Sequence, residues 1–173
     1  MSADPQPSAR PAAPDASYRG GWATDIAAPT ELVWSLVSDL ERMTEWSPEV
    51  VAIDWLDGAT QAAKGASFRG RNRIGVLRWS MRVTIIEFEA PRHLVFATQW
   101  HGADQTRWSF DIEPTGAGSH VTEQFEVVGR ISRRGRILFP ETRRKPQMIE
   151  GCRVTLERLK LAAEARHAAS TTR

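Results

Sequence analysis

Apolar and polar residues alternate without a break from Leu77 to Ile85. Leu77, Trp79, Met81, Val83 and Ile85 are interleaved with Arg78, Ser80, Arg82 and Thr84. Side chains on a strand point to opposite faces with period two, so the run builds a strand with one apolar and one charged face. Trp108, Phe110 and Ile112 repeat the pattern against Arg107, Ser109, Asp111 and Glu113. Shorter runs extend it: Trp22, Thr24, Ile26; Val51, Ile53, Trp55; Phe68, Gly70, Asn72, Ile74 against Arg69, Arg71, Arg73; Leu94, Phe96, Thr98, Trp100; and Val121, Glu123, Phe125, Val127. Asp57-Gly58, Gly75, Pro91, Gly102 and Gly116–Gly118 punctuate the runs as hairpin connections do. A chain of this kind folds as an antiparallel sheet, and its apolar face must be covered.

Two helical stretches offer the cover. After the first strand, Pro29 suits a helix start, because its missing donor would be unpaired there in any case. Leu32, Val33, Leu36 and Val37 then form an apolar stripe, with Trp34 and Trp46 in the same region, and Asp39 is placed to cap a second short helix. At the far end, residues 147–167 carry Met148, Ile149, Cys152, Val154, Thr155, Leu156, Leu159 and Ala162 on one face. Arg153, Glu157, Lys160 and Glu164 take the other, and Pro140 and Pro146 bound a break before this helix. The order is strand, two short helices, six strands and a long helix. The fold class is α+β, and a curved sheet around one long helix encloses a cavity.

Composition narrows the function classes. The chain of 173 residues is one domain, expected over residues 18–168, with Pro- and Ala-rich residues 1–17 and residues 169–173 as tails. Cys152 is the only cysteine, which excludes an internal disulfide and a thiolate metal cluster. No run approaches the roughly 20 apolar residues of a membrane span, and the first residues lack the apolar core of a secretory signal. A cytoplasmic location is expected. The net charge of +2 is too small to point to nucleic acid.

The motifs APTELVWSLVSDLERMTEWSPEV, GASFRGRNRIGVLRWSMRVTIIEFEAPRHLVF, WSFDIEPTGAGSHVTEQFEV and TLERLKLAAE, in that order, resemble the SRPBCC superfamily of START-like, helix-grip proteins, and within it the polyketide cyclase/dehydrase group. The likeness spans residues 22–166. It implies a seven-stranded antiparallel sheet curled around the C-terminal helix, with a cavity between them. Members include polyketide aromatases and cyclases as well as lipid and quinone carriers, and fold alone does not choose among them.

Chemistry is sparse in the pattern. His93, His101, His120 and His167 are scattered without metal-ligand spacing, and a meeting of His101 with Asp104 is a weak alternative. No nucleophile elbow, phosphate loop or cofactor motif is present. Glu123 is the conspicuous residue, because its phase with Val121, Phe125 and Val127 turns a carboxylate toward the cavity. Burial there would raise its pKa and suit it to general acid or base work. A bulge that turns it outward, a place near the mouth, or a pairing with Arg107 are the structural alternatives.

Asn72 and Thr98 either orient the polar end of a ligand or satisfy local backbone groups. The expected ligand contacts are Phe68, Asn72, Trp79, Met81, Val83, Phe96, Thr98, Trp100, Trp108, Phe110, Glu123, Phe125, Met148 and Cys152. The aromatic rows suit a flat polycyclic or quinone-like molecule, and Trp34 reads as core.

The reading is a binding protein for a small hydrophobic molecule (lipid, polyketide or isoprenoid/quinone). The alternative is an aromatase/cyclase that uses Glu123 for proton transfer. The ligand would enter past the 56–66 loop and the 130–146 segment, with the aromatic rows holding it. In that segment Arg130, Arg133, Arg134, Arg136, Arg143, Arg144 and Lys145 face one acid, Glu141. Such a basic rim would attract an acyl carrier protein or an anionic membrane surface, or is a solvated charged loop.

Overall fold

The computed structural model describes residues 18–100, 102–129 and 140–171. The expected N-terminal tail and the arginines Arg130, Arg133, Arg134 and Arg136 lie outside them, as does His101. Strand β1 (Tyr18–Ile26) leads to helix α1 (Thr30–Val37), a 3-10 turn at Leu40–Arg42 and the short α2 (Met43–Trp46). Six strands follow: β2 (Val50–Leu56), β3 (Ser67–Ile74), β4 (Leu77–Glu89), β5 (His93–Trp100), β6 (Ala103–Thr115) and β7 (Gly118–Val127). Helix α3 (Glu141–Thr171) ends the described chain. All seven strands join one antiparallel sheet in the order β1-β7-β6-β5-β4-β3-β2, the α+β helix-grip architecture expected from the sequence.

Local details depart from plain alternation at three places. Register shifts fall between Val50 and Ala52, between Ile85 and Glu87, and between Thr98 and Gln99. An extra residue turns the side chains beyond it to the other face, and Val51, read as inward, is accordingly exposed. Asp39 holds the N-cap position of the 3-10 turn but makes no side-chain capping bond.

The long helix also begins earlier than its pattern suggests. Pro146 lies within it rather than ahead of it, and the start is set by Pro140, whose carbonyl accepts from Arg143 N and Arg144 N at 2.9 and 2.8 Å. A proline this close to a helix N-terminus removes little of the hydrogen-bond ladder.

Met148, Cys152, Thr155, Leu156, Leu159 and Ala163 form the buried stripe of α3 at helical spacings of three and four, so Ala163 takes the place expected for Ala162. The helix packs along β1 and more lightly on β7. Gly20 makes that approach possible: a Cβ there would stand 2.8 Å from Ile149 Cγ1 and 2.9 Å from Phe125 Cζ. Both helix ends are tied down. Glu49 accepts from Arg144 at the start, with Nη2 to Oε2 at 2.7 Å. At the other end Lys160 Nζ donates to Asp25 O at 2.6 Å, and Glu164 Oε1 accepts from Ala27 N at 2.9 Å.

The two ends of the sheet differ. Helices α1 and α2 close one end, where Ile26, Val33, Leu36, Val37, Leu94 and Ile112 pack with Leu156 and Leu159. Trp34 belongs to this core and meets Phe88 in a tilted ring contact at 5.1 Å. The 56–66 loop leaves from this closed end, since Leu56 pairs with Ser67 there. It therefore lies at the opposite end from residues 140–146, and residues 130–139 of the other expected entry segment lie outside the described residues. The β3–β4 and β5–β6 turns and the start of α3 mark the open end.

Leu159→Ala, at a site with no solvent exposure, should cost about 2–5 kcal/mol in urea denaturation. Leu161→Ala on the exposed face of the same helix should stay within about 0.5 kcal/mol.

Candidate functional site

The apolar interior is divided. One cluster fills the closed end; the other holds Tyr18, Phe125, Val127, Met148 and Cys152 near the open end. Trp22 and Trp108 pack against both and bridge the division. Strand β7 crosses it, contributing Val121 to the first cluster and Phe125 to the second. Glu123 lies between those two residues, on the seam.

An unbroken register holds Glu123 in place. It stands opposite Trp22 on β1 and opposite Phe110 on β6, with no bulge on either side. The side chain therefore faces the interior, and the residue as a whole is 6% exposed. Arg107 is directed elsewhere: it pairs with Asp104, and its partner in register is Glu126. Glu123 Oε2 is buried and has no hydrogen-bond partner. Burial pushes the carboxyl pKa up to about 8, so near neutral pH the group holds its proton. Cys152 lies close enough for the Glu123 charge to act on it. Its thiol is driven well above the ordinary value, first by burial and then by that carboxyl, so it is no thiolate nucleophile.

The other expected contacts fall into groups. Phe68, Val83, Phe96 and Phe110 are buried in the closed-end cluster. Phe125, Met148 and Cys152 belong to the second, where Phe125 meets Trp108 at 5.5 Å and Tyr18 at 6.3 Å, and the Tyr18 hydroxyl reaches Met148 Sδ at 4.0 Å. Asn72, Trp79, Met81, Thr98 and Trp108 are half-buried on the inner face, where α3 gives little cover. Trp79 lies under the Arg144 guanidinium at 5.9 Å. Trp100 departs from expectation: it is 57% exposed at the β5–β6 turn, past the bulge at Thr98.

Thr98 spends its hydroxyl on the backbone, donating to Thr106 O at 3.3 Å and accepting from Thr106 N at 3.2 Å. Asn72 Nδ2 donates to Gly70 O at 3.4 Å. Of the polar residues expected in the cavity, Glu123 is the one with a buried atom that has no hydrogen-bond partner.

Trp22 and Tyr18 are not singled out by the sequence pattern. The inward phase of Trp22 with Thr24 and Ile26 is visible there, but its place beside Glu123 depends on β1 pairing with β7 across almost the whole chain. An open cleft of about 370 Å³ lies outside the seam, between Pro48, Glu49, Arg73, Ile74 and the helix residues Gln147, Glu150, Gly151 and Val154. Among the described residues no group of three or more His, Cys, Asp and Glu is placed to hold a metal ion, and no helix is long and apolar enough to cross a membrane.

The raised Glu123 pKa has a thermodynamic consequence. Between 4.5, the ordinary value, and about 8 the folded chain holds a proton that the unfolded chain has released. Stability should therefore fall as pH rises through that window, by about 1.4 kcal/mol per pH unit from this group. Glu123→Gln should remove that part of the slope when urea denaturation is compared at pH 5, 6.5 and 8.

Solved structures with the same architecture are numerous and distant in sequence. A protein of Thermus thermophilus matches at 19% identity and TM-score 0.66, covering 86% of this chain and 97% of its own. The di-domain ARO/CYC StfQ from the steffimycin biosynthetic pathway matches at 12% identity and TM-score 0.69, over 88% of this chain and 52% of its own. The di-domain ARO/CYC BexL from the BE-7585A biosynthetic pathway matches at 17% identity and TM-score 0.67, over 87% and 51%. At these identities the likeness is one of fold. No curated protein matches the chain. The model of one family matches residues 23–164, nearly the whole of the described domain, and the chain belongs to that family: polyketide cyclase / dehydrase and lipid transport.

Proposed function

We propose that the chain binds a small hydrophobic molecule with an oxygen function between the sheet and α3, and that protonated Glu123 donates a hydrogen bond to that oxygen. The carrying observation is the orphaned Oε2 of a buried carboxyl on the seam between two apolar clusters. A buried polar atom without a partner is costly, and a ligand carbonyl or hydroxyl would relieve that cost. Trp22 and Trp108 supply flat walls on either side of the seam, suited to a lipid, polyketide or quinone-like body. The half-buried Trp79 and Met81 border the uncovered part of the inner face, where such a molecule would pass.

The pKa near 8 supports a second reading. A group that titrates close to neutral pH can give and take a proton during turnover, and positioning alone supplies much of a cyclisation. An aromatase/cyclase acting on a poly-β-ketone would use the same seam, with Glu123 as the proton-transfer group.

Native mass spectrometry of gently purified protein, followed by extraction and identification of what is released, tests the first reading. About one lipid, quinone or polyketide per chain is expected. An empty protein that also takes up no added hydrophobic quinone would overturn the proposal. Glu123→Gln keeps a donor and should hold affinity within a few-fold, whereas Glu123→Leu should lose about tenfold. Turnover of a poly-β-ketone that vanishes in Glu123→Gln while affinity persists would favour the cyclase; unchanged turnover would remove Glu123 from the chemistry.

A further inference from the structure

The β3–β4 hairpin projects from the open end as a two-stranded finger. Strand β2 pairs with β3 as far as Asn72, Glu49 O accepts from Arg73 N at 2.9 Å just beyond it, and β5 pairs with β4 only from Arg82, so Ile74–Ser80 has no strand neighbour on either side. At roughly 3.3 Å per residue, β4 runs about 13 Å beyond the Trp100 turn. Gly75, at φ 56, makes the tight turn, and the apex residue Val76 is fully exposed. Large apolar side chains exposed among the described residues gather at this end: Val76, Leu77, Trp100 and Val51 lie here, and Leu161 lies apart on α3.

The finger carries an unbalanced charge. Arg73 and Arg78 stand directly opposite each other, as do Arg69 and Arg82. Like charges facing across a strand pair are destabilising. Asp54 answers Arg71 and Asp57 answers Arg82, but Arg69, Arg73 and Arg78 have no carboxylate partner among the described residues. The Arg73–Arg78 pair sits two cross-strand steps behind Val76, about 7 Å. That spacing matches the distance between lipid phosphates and the edge of the acyl region, where interfacial groups bury about 5–10 Å deep.

We propose that this end docks on an anionic lipid bilayer, with Val76 and Leu77 entering the interface, Arg73 and Arg78 on lipid phosphates, and Trp100 at headgroup level. The proposal rests on the reading of the cavity as a hydrophobic-ligand site, because docking would set its uncovered mouth against the source of such a ligand. A narrow finger with an aliphatic tip and an arginine collar suits a yielding lipid surface. A folded protein partner would need a matching socket.

Flotation of the full chain with phosphatidylcholine vesicles, with and without one third phosphatidylglycerol, tests this. Binding is expected only to the anionic vesicles and should weaken as salt is raised. Val76→Asp and the double variant Arg73→Glu/Arg78→Glu should each lose about tenfold or more, with unchanged circular dichroism showing that the fold persists. Vesicle binding equal to that of the unsubstituted chain in both variants, or no binding even at low salt, would overturn the proposal. Affinity for an acidic acyl carrier protein, lost in the same variants and without any vesicle binding, would also overturn it in favour of a protein partner. The mass-spectrometric ligand test stands apart: a bound hydrophobic molecule without vesicle binding defeats only the docking, and vesicle binding by a chain that takes up no hydrophobic molecule defeats only the cavity reading.

Discussion

One helix cannot cover a seven-stranded sheet. At about 4.8 Å between neighbours the sheet is roughly 29 Å wide, while a helix with its side chains is about 10–12 Å across. Here α3 lies against β1, brought close by the missing side chain of Gly20, and reaches β7. Helices α1 and α2 stop one end. The inner face of β3, β4 and β5 toward the other end is left with partial cover, and Asn72, Trp79, Met81 and Thr98 are half-buried there as a result. The partial cover follows from the widths of the elements and needs no special sequence motif.

Among the buried side chains Glu123 is the one that packing does not explain. A carboxyl costs free energy to bury without a partner, and the neighbouring groups offer Oε2 none. The chain meets part of that cost by keeping the proton on, which turns an acceptor into a donor at neutral pH. Of the two bridging tryptophans, Trp22 stands opposite this donor on β1 and Trp108 opposite Phe125 on β6. A polar donor and apolar area are thus concentrated in one layer of the interior, and the proposed hydrophobic-ligand site rests on that arrangement.

Much of this is legible in the amino-acid order. Strict alternation specifies β3, β4, β6 and β7 with their inner faces, and the phase of Glu123 with Val121 and Phe125 turns it inward because β7 carries no bulge. The stripe from Met148 to Leu159 identifies α3. Other features are hidden for physical reasons. Bulges at Val50/Ala52, Ile85/Glu87 and Thr98/Gln99 leave no mark in composition, so alternation alone puts Val51 and Trp100 on the wrong side of exposure. Pro146 reads as a boundary because its tolerance near a helix start depends on where that start falls. The Trp22–Glu123 neighbourhood, the facing arginines of the finger and the position of the 56–66 loop all depend on strand register, which a linear pattern does not contain.

The protonation state of Glu123 underlies the site as described, and it can be read directly by following the side-chain carboxyl carbon-13 resonance of Glu123 as a function of pH. A midpoint near 8 is the expected result, as for a carboxyl held in an apolar seam. A midpoint near the ordinary 4.5 would show the group to be solvated or paired, and would contradict both the donor role and the seam on which it rests.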